Sequence, residues 1–491
     1  MRCLVTGATG YIGGRLVPRL LTEGHTVRCL ARNPDKLRDV PWADQVELVG
    51  GDVLDSDSLH EAMRGVDVVY YLVHSLTESR FATIDRRGAL LTAEAARDAG
   101  VGRIVYLGGL HPEGDDSDLS EHLGSRAEVG EIFLRSGVPS TVLQAAVVIG
   151  SGSASFEMLR HLTERLPVMI TPRWVRNRVQ PIAIRDVLHY LAGAASMPPE
   201  VNRSFDIGGP DVLTYQQMMQ RYAAVKGLPR RRMVPVGLLT PRLSSHWINV
   251  ITPVPKAIGA PLIESLVHEA VCHESDIDDV VPAPDGGLTG YDTAVRLALG
   301  KIRRGDIETH WSAASVPDSP SDPLPTDPGW AGGSWYVDSR SRRSTAPPEQ
   351  LWRVVQGIGG PNGWYSFPLA WAARGWVDRL SGGVGLGRGR RHPQQLRVGD
   401  ALDWWRVEEL RDEPSDRILR LRAEMKVPGY AWLELRVQPG SDGGSVYGQR
   451  AVFIPHGLAG QLYWWSVAPF HGVVFGGMAR NITRTAEEGR P

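Results

Sequence analysis

The stretch that decides the fold is "VTGATGYIG", residues 5–13, near the start of the chain. Its glycines follow a short apolar strand and open a helix, with the spacing G-x-x-G-x-x-G. Gly7 permits a tight turn, Gly10 lets the backbone approach a pyrophosphate, and Gly13 lets helix and strand pack closely. Backbone N–H groups at the helix start would face the phosphates. The predicted cofactor contacts of this loop are Gly7, Thr9, Gly10, Tyr11, Ile12 and Gly13. A merely structural turn is the alternative interpretation.

The end of the second strand bears on the choice of cofactor. An NAD site usually has Asp or Glu about 20 residues beyond the glycines, where it holds the ribose 2′-OH. The second strand here ends "CLARNPDK", with Arg32 and no carboxylate at that point. A guanidinium suits a 2′-phosphate, so NADP(H) is predicted and NAD stays possible. The alternative is that Arg32 only solvates the strand end. Asp52, in "GGDVLD", is predicted to accept from the adenine amino group, with Val53 beside it.

The first 150 residues alternate apolar strands with helical patterns. Such alternation, with strands that are continuous apolar runs, is typical of a parallel, doubly wound α/β sheet whose strands are buried on both faces. The segment 151–302 contains more helix and is predicted to form a substrate lobe. The predicted strands are residues 3–6, 26–31, 46–52, 67–73, 103–109 and 141–150.

The composition changes after this domain. Residues 303–333 are rich in Pro, Asp, Ser and Gly without periodicity, which is typical of an extended linker. Eleven of the fifteen tryptophans lie at or after position 330, so residues 334–491 are predicted to form a separate domain. Helices are predicted near 347–358 and near the C-terminus. A second glycine-rich stretch, "GGVGLGRGR" (382–390), follows no strand and is predicted to be a loop.

The net charge and the cysteine content indicate which partners and which cellular compartment to expect. The net charge is −1, so no global field attracts nucleic acid. Three cysteines without metal spacing favour a cytoplasmic protein that has no disulfides and no metal site. Residues 456–479 come nearest to a membrane span, but they contain His456, Gln461, Pro469 and His471. A buried helix plus a loop is the preferred interpretation there, and peripheral membrane association is the alternative.

Residues 1–302 resemble the atypical short-chain dehydrogenases/reductases, a group that includes NmrA-like sensors and epimerase-like proteins. The motifs that carry the resemblance are "TGATGYIG", "LARNP", "GGDVLD", "RIVYLGG" and "PIAIRDV". The resemblance implies a Rossmann-like fold that binds NAD(P) at the carboxyl ends of the strands. It also implies that Val73 and His74 lie beside the cofactor, and that residues 144–146 border the nicotinamide or the substrate.

Residues 334–491 resemble the polyketide-cyclase/START-like (SRPBCC) helix-grip fold. The resemblance rests on "PPEQLWRVV" and on the segment 447–478. It implies an α+β domain in which a sheet wraps around a long C-terminal helix and often encloses an apolar cavity. An apolar ligand is therefore a possible occupant, and ordinary core packing is the alternative explanation for the tryptophans.

The family's catalytic residues are absent at the expected places. The resemblance implies Tyr and Lys four residues apart on a helix, but "SEHLGSRAEV" (120–129) has His122 and Arg126. The family's Ser would follow the fifth strand, where Gly108 and Gly109 stand instead. His122 is the predicted general acid or base, and Arg126 would bind ribose hydroxyls and supply positive charge. Ser125 or water would replace the missing hydroxyl. The alternative is a surface, ribose-contacting or structural histidine.

Three functions remain open on this basis. The first is an NADP(H)-dependent oxidoreductase that acts on a small, apolar or quinone-like substrate, because the cofactor itself supplies the hydride. The second is a catalytically silent NAD(P) sensor. The third is a sugar-nucleotide epimerase, which is the weakest of the three because it also normally uses the Tyr acid/base.

Overall fold

The seven-stranded sheet of the first half forms where the sequence alternates apolar strands with helices. Its strand order is β11-β6-β5-β4-β1-β2-β3, and every neighbouring pair is parallel. The doubly wound α/β prediction is therefore confirmed. The strands of this half are β1 Arg2–Thr6, β2 Thr26–Ala31, β3 Glu47–Gly50, β4 Val68–Tyr71, β5 Arg103–Gly109, β6 Ser140–Ala145, β7 Val148–Ile149, β8 Val168–Thr171, β9 Arg178–Val179, β10 Ile182–Ala183, β11 Arg203–Ile207, β12 Leu213–Thr214 and β13 Arg232–Pro235.

The computed structural model describes residues 1–74, 81–110, 119–235, 251–303, 326–327, 332, 334–359, 363–366, 395–425, 427–440 and 443–489. Its contacts divide the chain into two units, Met1–Gly333 and Ser334–Pro491. The glycine-rich stretch 382–390 and most of the predicted linker 303–333 lie outside the described residues. Two linker residues that are described, Asp327 and Gly332, bond to Arg15 and Glu157 of the first unit.

Helices cover both faces of the parallel sheet. Because side chains alternate along a strand, Cys3 and Val5 of β1 enter one apolar cluster and Leu4 enters another on the opposite face. This burial on both faces explains why the strands are continuous apolar runs rather than alternating ones. The helices are α1 Tyr11–Thr22, α2 Ser56–Ala62, α3 Phe81–Asp98, α4 Glu121–Leu134, α5 Ala154–Arg165, α6 Ile184–Gly193, α7 Tyr215–Lys226, α8 Lys256–Ser265 and α9 Tyr291–Arg303.

A smaller lobe follows the carboxyl end of β6. It is built from three two-stranded pairs, β7 with β10, β9 with β12, and β8 with β13. Its core combines residues of α5, α7 and α9, including Phe156, Tyr222 and Val295. In this arrangement α8 packs against both α5 and α4, the helix that follows β5.

The second unit is an antiparallel α+β structure. Its sheet has the order β14-β19-β18-β17-β16-β15, and α10 and α11 bury Leu351, Val355, Met478 and Ile482 against it. The prediction of a C-terminal α+β domain is confirmed, and its sheet is antiparallel. The elements are β14 Tyr336–Ser344, α10 Pro348–Gln356, β15 Ala401–Leu402, β16 Trp405–Glu413, β17 Asp416–Ala423, β18 Gly429–Pro439, β19 Ser445–Pro455 and α11 Gly457–Glu487.

The C-terminal region differs from the predicted helix plus loop. One helix, α11, runs for 31 residues and contains Pro469. Proline removes a helix hydrogen bond, but Pro469 lies on an exposed side of α11, where water can replace the lost donor. The stretch is also only half buried, because Met478 is fully buried while Trp465 keeps 66% of its surface exposed. Among the described residues, no helix is long and apolar enough to cross a membrane.

Candidate active site

The phosphate loop has the geometry that its glycines predict. Gly7 has φ +79°, a left-handed conformation that favours glycine, and a Cβ atom built on it would lie 2.6 Å from the carbonyl oxygen of Leu72. A Cβ on Gly13 would overlap the carbonyl oxygen of Gly7. Gly10 caps α1 with extended backbone. The loop is thus held against the residues that follow β4, and any side chain at Gly7 or Gly13 would push it away.

The start of α1 is held in place by hydrogen bonds of Arg15. The first N–H groups of a helix have no acceptor within that helix, so those of Tyr11 and Ile12 are free to bind phosphate oxygens. Arg15, one turn further on, donates to the backbone oxygen of Tyr11 at 3.1 Å and to Asp327 at 2.9 Å and 2.6 Å. Thr9, Tyr11 and Ile12 are all half-buried. The predicted loop contacts therefore lie together at one edge of the sheet.

The predicted adenosine-side residues lie after β2 and β3. Arg32 directly follows β2 and is exposed, so its guanidinium is available to a ligand. Asp52 lies two residues beyond β3, and its Oδ1 accepts from the backbone N–H of Leu54 at 3.0 Å. Val53 is half-buried next to it. Since β2 and β3 are parallel neighbours, Arg32 and Asp52 are brought to the same edge as the phosphate loop.

His74 is held by a carboxylate that the sequence reasoning missed. It lies three residues beyond β4, and its Nδ1 donates to Oδ2 of Asp85 on α3 at 2.6 Å. Asp85 is 4% exposed and the His74 side chain 16% exposed. The carboxylate fixes the proton on Nδ1, so Nε2 carries the lone pair in the neutral ring. That Nε2 atom is buried and has no hydrogen-bond partner among the described residues.

His122 is buried on α4 and bonds to the substrate lobe. Its Nδ1 lies 3.0 Å from Oγ of Ser265 at the end of α8. Ser265 donates its own hydroxyl to the carbonyl oxygen of Pro261, so His122 Nδ1 is the donor in this pair. Its Nε2 is likewise buried, with no partner in the described part of the chain. The interpretation of His122 as a surface histidine is therefore wrong, since only 6% of it is exposed.

The two imidazoles form one cluster with Arg126. The ring centroids of His74 and His122 lie 5.2 Å apart. Burial, the positive charge of Arg126 and the neighbouring His74 lower the pKa of His122 to about 2. Burial and Arg126 also lower the pKa of His74, against the opposing effect of Asp85. Both rings are thus favoured in their neutral form, and each has a buried Nε2 atom.

Arg126 lies on α4 beside the two histidines, and its side chain reaches the end of β5. Its Nη1 donates to the carbonyl oxygen of Leu107 at 3.2 Å, and its Cδ lies against Gly109, where a Cβ would come within 3.2 Å. The glycine in place of the family's Ser therefore leaves room for the arginine side chain. Ser125 is buried, and its Oγ has no partner in the described ranges. A hydroxyl and a guanidinium accordingly accompany the two histidines.

Asp85 and Ser265 are the functional partners that the sequence did not reveal. Asp85 carried a usable signal, because it lies on the stripe of α3 that also buries Gly88, Ala89 and Thr92. A carboxylate on an apolar helix stripe needs a partner. The sequence contains no comparable indication for Ser265, since 143 positions separate it from His122. No group of three or more His, Cys, Asp or Glu among the described residues is placed to hold a metal ion.

Comparisons with known proteins agree with an NAD(P)H-binding domain in the first unit. Residues 7–144 match the NAD(P)H-binding family, and residues 330–478 match a protein family of unknown function, DUF2867. A ceramide reductase of Caulobacter vibrioides is 27% identical over 296 residues, which are 58% of this chain and 91% of that protein. The (4-alkanoyl-5-oxo-2,5-dihydrofuran-3-yl)methyl phosphate reductase of Streptomyces griseus is 31% identical over 235 residues, 46% of this chain and 75% of that protein.

A solved structure supports the fold of the first unit. The triphenylmethane reductase of Citrobacter sp. aligns with a TM-score of 0.50 and 22% identity, over 61% of this chain and all of that chain. The phosphate loop, the parallel sheet and the identity to the Streptomyces reductase point to one family. The chain belongs to the NAD(P)H-binding, reductase-like family.

Proposed function

We propose that the chain is an NADPH-dependent reductase in which a histidine pair replaces the usual tyrosine and lysine. The observation that carries the proposal is the Asp85–His74–His122 cluster, which lies next to the residues that touch the phosphate loop. Leu72 and Val73 contact Gly7, and His74 is the next residue along. A buried imidazole held by a carboxylate is a common arrangement for moving a proton.

The residues of the cluster have distinct parts in this proposal. The bound cofactor supplies a hydride. Asp85 keeps the His74 proton on Nδ1, so that Nε2 is free to take up one proton from solvent and then to donate it to the substrate oxygen, which returns the ring to its neutral form. Arg126 stabilises negative charge that develops on that oxygen. His122 stays neutral and positions the substrate through Nε2. One hydride and one proton would then be consumed per molecule of carbonyl or quinone that is reduced.

A small, apolar or conjugated acceptor suits this cluster best. Because both histidines are favoured in their neutral form, the site offers little strong acid at neutral pH. A quinone-like acceptor needs less help from an acid than a simple ketone does. The Caulobacter and Streptomyces relatives are both reductases by name, which supports a reductive direction here.

The cofactor proposal rests on Arg32. The family binds NAD(P)H, and the exposed guanidinium after β2 suits the 2′-phosphate that distinguishes NADPH. Asp52 and Val53 would border the adenine ring. Gln144 to Ala146, at the carboxyl end of β6, would border the nicotinamide or the substrate. NAD remains the alternative cofactor.

The remaining domain assignments are also proposals. We infer a domain over 1–302, a linker over 303–333 and a START-like domain over 334–491. The antiparallel sheet with one long C-terminal helix supports a helix-grip domain of the SRPBCC type, although the family matched there has no known function. Two buried free cysteines, Cys3 and Cys29, together with the half-buried Cys272, favour a reducing, cytoplasmic compartment.

The decisive experiment follows NADPH oxidation by the full chain against a panel of quinones and aromatic carbonyls. We expect turnover that falls about 10²- to 10⁴-fold in His74→Ala, the range typical of lost acid–base catalysis. His122→Ala should mainly raise KM. His60→Ala is the matched control, because His60 lies on α2 outside the cluster and its side chain is 38% exposed. This variant should leave both constants unchanged.

A silent NAD(P) sensor is the second candidate. The absence of the family's Tyr, Lys and Ser favours it, as does the neutral state of His122. Tight NADPH binding without oxidation of any acceptor would support the sensor and overturn the reductase. Equal turnover in His74→Ala and the unmodified chain would also overturn the proposed role of the cluster.

A further inference from the structure

The first half of α11 presents apolar side chains to solvent. Large apolar side chains rarely form a contiguous exposed patch on a protein that has no partner there. The exposed fractions are 39% for Leu458, 56% for Leu462, 66% for Trp465, 67% for Phe470 and 65% for Val473. We call these five residues the apolar stripe.

The stripe follows the period of the helix. Leu458, Leu462 and Trp465 are three or four residues apart, which places them on one face of the helix. Val473, eight positions beyond Trp465, lies near the same face, and Phe470 lies at its side. Residues of the opposite face, such as Phe475, Met478 and Ile482, are buried in the core of the second unit. The helix is therefore apolar on its inner face and, over this length, on its outer face as well.

An arginine-lined groove continues the stripe. It measures 440 Å³ and is lined by Arg340, Ser341 and Arg342 of β14 and by Gly472, Gly476, Ala479 and Arg480 of α11. Positions 472, 476 and 480 continue the three- and four-residue spacing of the stripe. A Cβ on Gly476 would lie 3.1 Å from Nη1 of Arg340. Glycine here lets the guanidinium lie across the helix, although glycine inside a helix is destabilising.

The groove has a net positive charge. Arg340 donates to Asp338 at 2.9 Å, so one of the three guanidinium charges is offset by a carboxylate. Arg342 and Arg480 are exposed, and within the described ranges neither forms an ion pair. Two arginine charges thus stand uncompensated at the end of the apolar stripe.

We propose that this face of α11 docks on the surface of an anionic membrane. Exposed Trp, Phe and Leu on a helix, next to a cluster of arginines, are the features of a helix that lies in the lipid interface. The arginines would bind lipid phosphates, each adding attraction to an anionic leaflet, while the stripe enters the acyl boundary. Because no described helix can span a bilayer, the attachment is peripheral.

The charge also argues against the other occupant, a second copy of this chain. If two copies paired stripe to stripe about a twofold axis near the groove, they would bring Arg342 and Arg480 of both copies together. Like charges at an interface are unfavourable. An anionic lipid surface complements both the apolar residues and the arginines.

The test is co-sedimentation of the full chain with vesicles. Vesicles of phosphatidylcholine are compared with vesicles that also contain phosphatidylglycerol, at low and high salt. We expect at least about tenfold stronger binding to the anionic vesicles, lost as salt rises. The double variant W465S/F470S should lose binding at all salt concentrations, whereas R342E/R480E should lose only the preference for anionic lipid.

Matched controls are L90S and R135E on the first unit. Leu90 is 49% exposed and the Arg135 side chain 82% exposed, and neither variant should change vesicle binding. Folding of each variant is checked by its melting temperature. No binding to anionic vesicles by the unmodified chain would overturn the proposal. So would a solution dimer that W465S/F470S converts to a monomer, because the stripe would then be covered by a second copy.

Discussion

The imidazole rings of His74 and His122 lie 5.2 Å apart, on a loop after β4 and on helix α4. Each ring has its Nδ1 bonded, one to Asp85 and the other to Ser265, and each keeps a buried Nε2. Their closeness means that protonation of one disfavours protonation of the other. The pair therefore acts as a unit, and its charge state links the chemistry of the site to the stability of the fold.

His122 should make the first unit less stable in acid. Its pKa falls from 6.5 to about 2 on folding, so the unfolded chain binds the proton more tightly. Stability is then constant above about pH 6.5 and falls as pH decreases below it, by about 1.4 kcal/mol per pH unit. At pH 5 the loss from this residue is about 2 kcal/mol.

The variant His122→Asn tests this expectation, because its amide nitrogen replaces Nδ1 beside Ser265 but does not titrate. Urea midpoints are followed by hydrogen exchange on peptides of α3 and α4, which report on the first unit. The variant should flatten the loss below pH 6.5. His60→Asn is the control: folding raises the pKa of His60, so the native residue stabilises at low pH and the variant should not flatten the curve. An unchanged acid slope in His122→Asn would contradict the neutral assignment.

Asp85→Asn should reduce turnover without affecting nucleotide binding. The amide keeps the shape of the carboxylate but no longer fixes the proton on Nδ1 of His74, so Nε2 has the wrong protonation for much of the time. We expect kcat to fall about 10²-fold or more, with the Kd of NADPH unchanged. Stopped-flow reduction of a quinone measures kcat, and fluorescence titration measures the Kd of NADPH.

Asp98→Asn is the matched control for Asp85→Asn, because Asp98 lies at the exposed end of the same helix. Full activity of Asp85→Asn would show that His74 does not transfer the proton. A fall in NADPH affinity that parallels the fall in kcat would indicate a structural role for Asp85 instead.

Arg32→Glu should weaken NADPH binding and leave NADH binding nearly unchanged. A charged hydrogen bond to the 2′-phosphate contributes about 1.5–3 kcal/mol, so the Kd of NADPH should rise roughly 10- to 150-fold. Titration calorimetry with both nucleotides measures the difference. Arg38→Glu, also exposed near β2, should change neither Kd. Equal weakening of NADPH and NADH by Arg32→Glu would exclude the 2′-phosphate contact.

The sheet of the first unit could be predicted closely from local patterns. β2 and β5 have the predicted bounds, because buried parallel strands are continuous apolar runs. Gly24 and Gly100, which have positive φ, follow the helix that precedes each of these strands. The C-terminal helix was harder. Pro469 and the polar residues of 456–479 suggested a break, yet α11 continues because its inner face buries Met478 and Ile482. Tertiary packing there outweighs a local signal.

The site could be predicted only in part. The glycine loop and the His122–Arg126 pair on α4 are set by spacing within one element, so the sequence reveals them. The partners of the histidines depend on contacts between distant elements. Asp85 reaches His74 because α3 packs beside β4, and Ser265 reaches His122 because α8 folds back from the substrate lobe. The periodicity of one sequence does not show which residues of distant elements come into contact.

The buried pair between Arg15 and Asp327 should contribute to the stability of the cofactor helix. Its side chains are 3% and 8% exposed, and the bond is 2.6 Å long. Removing one partner of a buried ion pair typically costs 3–5 kcal/mol, because the remaining charge loses its compensation. We therefore expect Asp327→Ala to destabilise the first unit by about 3 kcal/mol and to weaken NADPH binding, since Arg15 also holds the backbone oxygen of Tyr11 at the phosphate loop.

The matched control for this pair is Glu23→Ala, which removes the carboxylate from Arg19 on the same helix. That pair has side chains 47% and 32% exposed, and exposed pairs contribute at most about 1 kcal/mol. Hydrogen exchange on peptides of α1 in urea compares the two variants. If both variants lost a similarly small amount of stability, Asp327 would contribute no more than a surface charge. A large loss confined to Asp327→Ala, together with a raised Kd of NADPH, would show that a residue 312 positions away in sequence helps to hold the phosphate loop.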